Sequence, residues 1–132
     1  MTDQLDLFLA LQDSLTLLGS SGMRQMQYVA NLDEISGIPV NATNRAIARQ
    51  FYALVPSLEG MFKVGTISPS TVKRLQAINA KLKEMDTLVN ATLWKDEALF
   101  TSPEWTQLRA LSAGALRQLR LPYAIAVQAA KG

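Results

Sequence analysis

The chain has 132 residues, 48% of them hydrophobic and 18% charged, with a net charge of +2. That length suits a single domain spanning residues 1–132 with a core of its own and no need of covalent staples. Cysteine and histidine are both absent, which excludes disulfides, thiolate chemistry, Cys/His zinc sites and the commonest general base.

The elements read as helices from end to end. A first helix is predicted from Asp3 to Leu18, with Thr2 as its N-cap and Gly19 past its end. Leu5, Phe8, Leu11, Leu15 and Leu18 form one stripe at helical spacing. Leu7, Leu9 and Leu17 widen that stripe beyond the usual ~100°, which marks them as an apolar face for a partner. Gly19-Ser20-Ser21-Gly22 is a tight connector. Met23, Met26, Val29, Leu32 and Ile35 then repeat every three residues along a second helix, which ends at Ser36-Gly37-Ile38-Pro39. Asn41 or Thr43 is expected to cap a third helix carrying Ala46, Ile47, Phe51, Leu54 and Val55. Pro56 is expected to break or kink it, leaving a short turn of helix over 57–62.

Two helix starts share one signature. Ser68-Pro69 and Ser102-Pro103 each place an N-cap serine before a proline at the first helical position. From the first runs a near-heptad seam, Val72, Leu75, Ile78, Leu82, Met85 and Val89, as in packed antiparallel helices. From the second run Trp105, Leu108, Leu111, Ala115 and Leu119, with Pro122 ending the helix and a small apolar tail over 123–130. Trp94, Leu99, Phe100 and Trp105 gather around the second junction and read as core. Ser112-Ala113-Gly114-Ala115 is a run of small side chains that permits close helix approach at some cost in intrinsic stability. No segment alternates with a period of two. The expected fold is all-α: a helical bundle of four main helices plus short helices at Pro56 and after Pro122.

Charge is segregated along the chain. Residues 1–40 carry a net −4, residues 41–83 carry +6, residues 84–104 return to −4, and residues 105–132 hold four bases and no acid. Such blocks can lie against each other within one chain or between copies. Arg109, Arg117 and Arg120 gather on one side of the last helix and are the candidate basic face for an acidic partner.

Catalytic chemistry finds little foothold. No Gly-x-Ser-x-Gly elbow occurs, the phosphate-cradling pattern with a Walker lysine is absent, and adjacent carboxylates such as Asp96-Glu97 diverge on a helix. No catalytic residue, metal ligand or cofactor is assigned. Residues 32–51 resemble a helix-turn-helix, with a Gly-Ile-Pro turn and a second helix that would present Asn44, Arg45 and Arg49 to DNA, supported by Lys73 and Arg74 on phosphates. Asp33, Thr43 and Ala46 depart from that pattern, which wants a small residue at the first position and large aliphatics at the other two.

The longest apolar runs, such as Leu7 to Leu11, are about five residues long, against the ~18 of a membrane span. The first residues also lack the positive start of a secretory signal. The expectation is a soluble, intracellular protein, cytoplasmic or carried in a virion if it is a phage component. The expected function is a non-enzymatic interaction or structural module. It would self-associate as a homo-oligomer or dock into a larger protein complex, with DNA binding as the alternative and no membrane partner.

Overall fold

A computed structural model describes residues 3–36 and 44–120, without the side chains of residues 33–36, 88 and 89. Every regular element among them is helical: α1 (Gln4–Leu18), α2 (Gly22–Ser36), α3 (Ala46–Lys63), α4 (Pro69–Met85), a 3₁₀ segment (Leu88–Trp94), the short α5 (Ala98–Thr101) and α6 (Pro103–Gln118). The all-α reading holds, with five helices of 15 to 18 residues rather than four. The caps proposed at Asn41 and Thr43 and the helix proposed after Pro122 lie outside the described residues.

Local chemistry sets the helix ends. Asp3 caps α1, its carboxylate accepting the Leu5 amide at 3.4 Å. The Ser68 hydroxyl accepts the Thr71 amide at 3.2 Å, and the Ser102 hydroxyl accepts the Glu104 amide at 3.2 Å. Both serine–proline signatures therefore start helices as expected. The seam through Val89 is cut short, because α4 stops at Met85. Its terminal carbonyls are taken by side chains from the following segment: Asn90 Nδ2 donates to Glu84 O at 2.9 Å and Trp94 Nε1 to Met85 O at 3.2 Å. Between α3 and α4 the chain turns at Gly65, whose φ of +80° lies in the left-handed region. The Gly65 amide bonds Phe62 O and the Thr66 amide bonds Met61 O, the paired bonds of a Schellman C-cap.

The expected break at Pro56 does not occur, since α3 runs through it to Lys63. Proline removes the amide that would bond the Tyr52 carbonyl. Tyr52 and Pro56 both lie on the exposed side of α3, so water can solvate that carbonyl. The buried residues Phe51, Leu54 and Met61 on either side keep the helix seated on the core.

Four of the long helices form a ring. Helix α1 packs on α3 and α6, and α4 packs on the same two, so α1 and α4 stand at opposite corners. Leu11, Leu15 and Leu18 meet Phe51, Met61, Leu75, Ile78, Leu82, Met85 and Trp105 in one continuous core. Full burial of each such side chain contributes about 1.5–3 kcal/mol before entropy is counted. Helix α2 lies beside α1, α3 and α5. Its expected apolar stripe is only partly inward, because Val29 is buried while Met23 is 59% exposed. Helix α1 ends close to the α6 backbone at Gly19, where an added Cβ would sit 3.2 Å from the Ala113 amide nitrogen.

Candidate interaction surface

Many of the polar groups that could serve a partner are used inside the molecule. Gln25 is fully buried. Its amide donates to the Leu17 and Leu18 carbonyls at 3.1 and 3.0 Å, and its oxygen accepts from Arg109 Nε at 3.0 Å. Arg109 also donates to the Leu99 carbonyl. One glutamine and one arginine thus join the end of α1, the start of α2, α5 and α6. Burial lowers the pKa of the Arg109 guanidinium from its ordinary value. Gly22 leaves space for this junction, because a Cβ there would meet Leu99 O at 3.0 Å and an Arg109 nitrogen at 3.1 Å.

The helix-turn-helix candidates are similarly engaged. Asn44 is fully buried, and its amide donates to Leu93 O at 3.0 Å and Lys95 O at 2.9 Å. Arg45 pairs with Asp86 and lies over the Trp94 ring, 4.5 Å from its centroid. Trp94 in turn meets Trp105 edge to face at 5.8 Å, and Trp105 Nε1 donates to Leu93 O at 2.7 Å. Tyr52 lies at the edge of this group. Its pKa is raised by burial first and by Asp86 second, against a lowering contribution from Arg45. Of the residues proposed to face DNA, Asn44 and Arg45 therefore hold the 3₁₀ segment against α3, while Arg49 and Lys73 are exposed. Arg74 reaches across to α6, where its Nη1 lies 2.9 Å from the position a Cβ on Gly114 would take. The glycine in the small-residue run makes room for a guanidinium rather than for another backbone.

The proposed basic face of α6 divides in the same way. Arg109 is turned inward, and Arg120 donates to the Arg117 and Leu119 carbonyls at the helix end at 2.8 and 3.0 Å. Arg117 is exposed. On α1, Leu7 and Leu17 pack against the core, whereas Leu9 is 45% exposed. The three residues proposed as one apolar face are thus not brought together on one.

The structure shows an apolar surface elsewhere. Helices α3 and α4 diverge to leave a groove of about 450 Å³ lined by Val55, Leu58, Phe62, Val72 and Leu75, with Glu59, Gln76 and Asn79 at its polar edge. Phe62 is 42% exposed and Val64, just beyond it, 62%. The sequence signal for this groove is a second apolar row on α3, Val55, Leu58 and Phe62, at offsets of three and seven beside the core row. The sequence hides this row because Pro56 predicts a turn over 57–62 separate from the helix that carries Val55.

Charge around this surface is partly paired, Glu59 with Lys63 and Lys81 with Glu84, while Lys73 and Lys83 enter no ion pair among the described residues. Among the described residues the side-chain ion pairs are Arg45–Asp86, Glu59–Lys63 and Lys81–Glu84. None of them joins the acids of α1, Asp6 and Asp13, to the bases of α4. No three acidic side chains among the described residues converge to hold a metal ion, and no helix there is long and apolar enough to cross a membrane. Comparison with protein families, curated proteins and solved structures finds no match.

Proposed function

We propose that this chain is a non-enzymatic helical building block that self-associates, or docks into a larger assembly, through the groove between α3 and α4. The groove carries the proposal. It is apolar, open, and bordered by an exposed phenylalanine, the chemistry that receives one face of an incoming helix. The segregated and unpaired charge supports it, since polar attraction between surfaces steers association and sets register. Such a role suits the cytoplasm, or a virion if the assembly is a phage particle. The DNA-binding alternative draws less support, because Asn44 and Arg45, which it needs outside, are engaged at residues 93–95 and at Asp86.

Light scattering after gel filtration tests the reading. The wild-type chain is expected to gain mass with concentration, and Phe62→Asp to remain a monomer with unchanged helical circular dichroism. A wild-type chain that stays monomeric across the accessible concentrations, and binds no partner, overturns it.

A further inference from the structure

The two ends of the ring's α1–α4 diagonal carry opposite charge. At one corner, the outward side of α1 holds Leu9 between two exposed acids, Asp6 three residues before it and Asp13 four after. At 100° per residue both acids fall on the same side of Leu9, about 60° and 40° from it around the axis, so an apolar knob stands beside a row of two carboxylates. At the opposite corner, α4 carries four bases and one acid, Glu84, which pairs with Lys81. Two of the bases border the groove. Lys83 follows Asn79 by four residues and Lys73 precedes Gln76 by three, spacings that put each lysine on the same flank as a groove-lining residue. Both lysines are exposed, and neither enters an ion pair among the described residues.

An apolar knob beside acids and an apolar groove bordered by two unpaired lysines, its one lining acid Glu59 being paired with Lys63, are complementary, and one molecule cannot join its own. Helices α1 and α4 each pack on α3 and α6 and stand at opposite corners of the ring. We infer that the occupant of the α3–α4 groove is the outward face of α1 from a second copy of this chain. Leu9 seats against Leu58, Phe62 and Val72 of the next molecule, while Asp6 and Asp13 approach its Lys73 and Lys83. Contact between two different patches is heterologous. It does not stop at two copies but continues into a ring or an open filament.

This inference rests on the groove being the self-association surface, and the experiment separates the two. Leu9→Arg blocks the α1 face by placing a cation where the groove is already basic. Phe62→Asp blocks the groove by placing an acid where the incoming face is already acidic. Both sites are surface-exposed, and circular dichroism checks that both variants fold. Each variant alone is expected to be monomeric by light scattering. An equimolar mixture is expected to form a one-to-one dimer and nothing larger, because one intact groove then meets one intact α1 face. Raising salt from about 0.05 to 0.5 M should weaken that dimer several-fold as screening shortens the reach of the charges.

If Phe62→Asp abolishes assembly and Leu9→Arg leaves it as in wild type, the groove is an interface but α1 is not its occupant, and the inference falls while the proposed function stands. If both variants are monomeric and the mixture is too, the contact is not between these two different faces, and the inference falls. A wild-type chain that never exceeds a dimer overturns it as well.

Discussion

The α1–α6 side and the α3–α4 side of the ring solve the same problem differently. On the first, a glycine at 19 lets α1 close on the α6 backbone at Ala113, and a buried Gln25–Arg109 bond ties four elements together. On the second, two helices joined by a short Gly65 turn diverge to leave an apolar groove. A glycine and the Gln25–Arg109 hydrogen bond close the first side. The second keeps large apolar side chains at its rim with nothing from the described chain over them. On the proposed function, stability and recognition reside in separate places, and substitutions can test that separation.

The largest expected contrast is between two phenylalanines on one helix. Phe51 is fully buried and Phe62 is 42% exposed. Phe51→Ala should cost about 3–5 kcal/mol of unfolding free energy, by lost burial and the cavity left behind. Phe62→Ala should cost under about 1 kcal/mol while weakening self-association. Urea unfolding of the two variants, beside their masses in solution, decides the matter. Equal stability losses would mean that the groove is part of the core.

Next in size is the buried polar junction. Gln25→Leu strands the Leu18 carbonyl and the Arg109 Nε, the Leu17 carbonyl keeping the Ser20 amide, and Arg109→Met strands the Gln25 oxygen and the Leu99 carbonyl. Each should destabilise by about 2–3 kcal/mol, the cost of leaving buried groups unpaired. Because the two side chains share a bond, the double variant should lose less than the sum. Additive losses would show that the pair acts as two independent contacts.

Gly65→Ala should cost about 1–2 kcal/mol, since a side chain is disfavoured at a φ of +80°. A Cβ there meets nothing within 4 Å, so the loss reports backbone conformation alone. Self-association, scaled to the folded fraction, should be unaffected. A change in assembly beyond that would mean the turn sets the width of the groove.

How much of this was legible beforehand follows from how local each signal is. Ser68-Pro69 and Ser102-Pro103 start helices through contacts within two or three residues, and both were readable. The core rows Phe8, Leu11, Leu15, Leu18 and Leu75, Ile78, Leu82, Met85 follow from periodicity alone. Gln25 was not readable as a core residue. What makes its burial tolerable is an arginine 84 positions away and carbonyls at the end of another helix. Arg109 was read as surface for the same reason, since a charge count assumes exposure. Pro56 does not break α3, because its cost depends on whether the freed carbonyl meets water, which is decided by which side of α3 faces the core. The groove escaped because periodicity shows an apolar row but not whether the neighbouring helix closes over it.

The smallest expected effect concerns pH and lies at the start of α6, away from both the groove and the junction. The Ser102 hydroxyl donates to the Glu104 carboxylate at 2.7 Å. That hydrogen bond, followed by the Glu104 backbone amide, lowers the carboxyl pKa from its ordinary 4.5. A group whose folded pKa is depressed adds stability that is fully present above the unfolded value and disappears as pH falls through the folded one. Glu104→Gln should therefore be less stable than wild type near neutrality and converge with it as pH falls through the lowered folded pKa. Ser102→Ala removes the hydroxyl and the helix cap together. It should cost about 1 kcal/mol near neutrality and return the Glu104 titration towards its ordinary value. If wild type and Glu104→Gln keep a constant offset across that range, the serine does not hold the carboxylate, and the cap acts through the Glu104 amide alone.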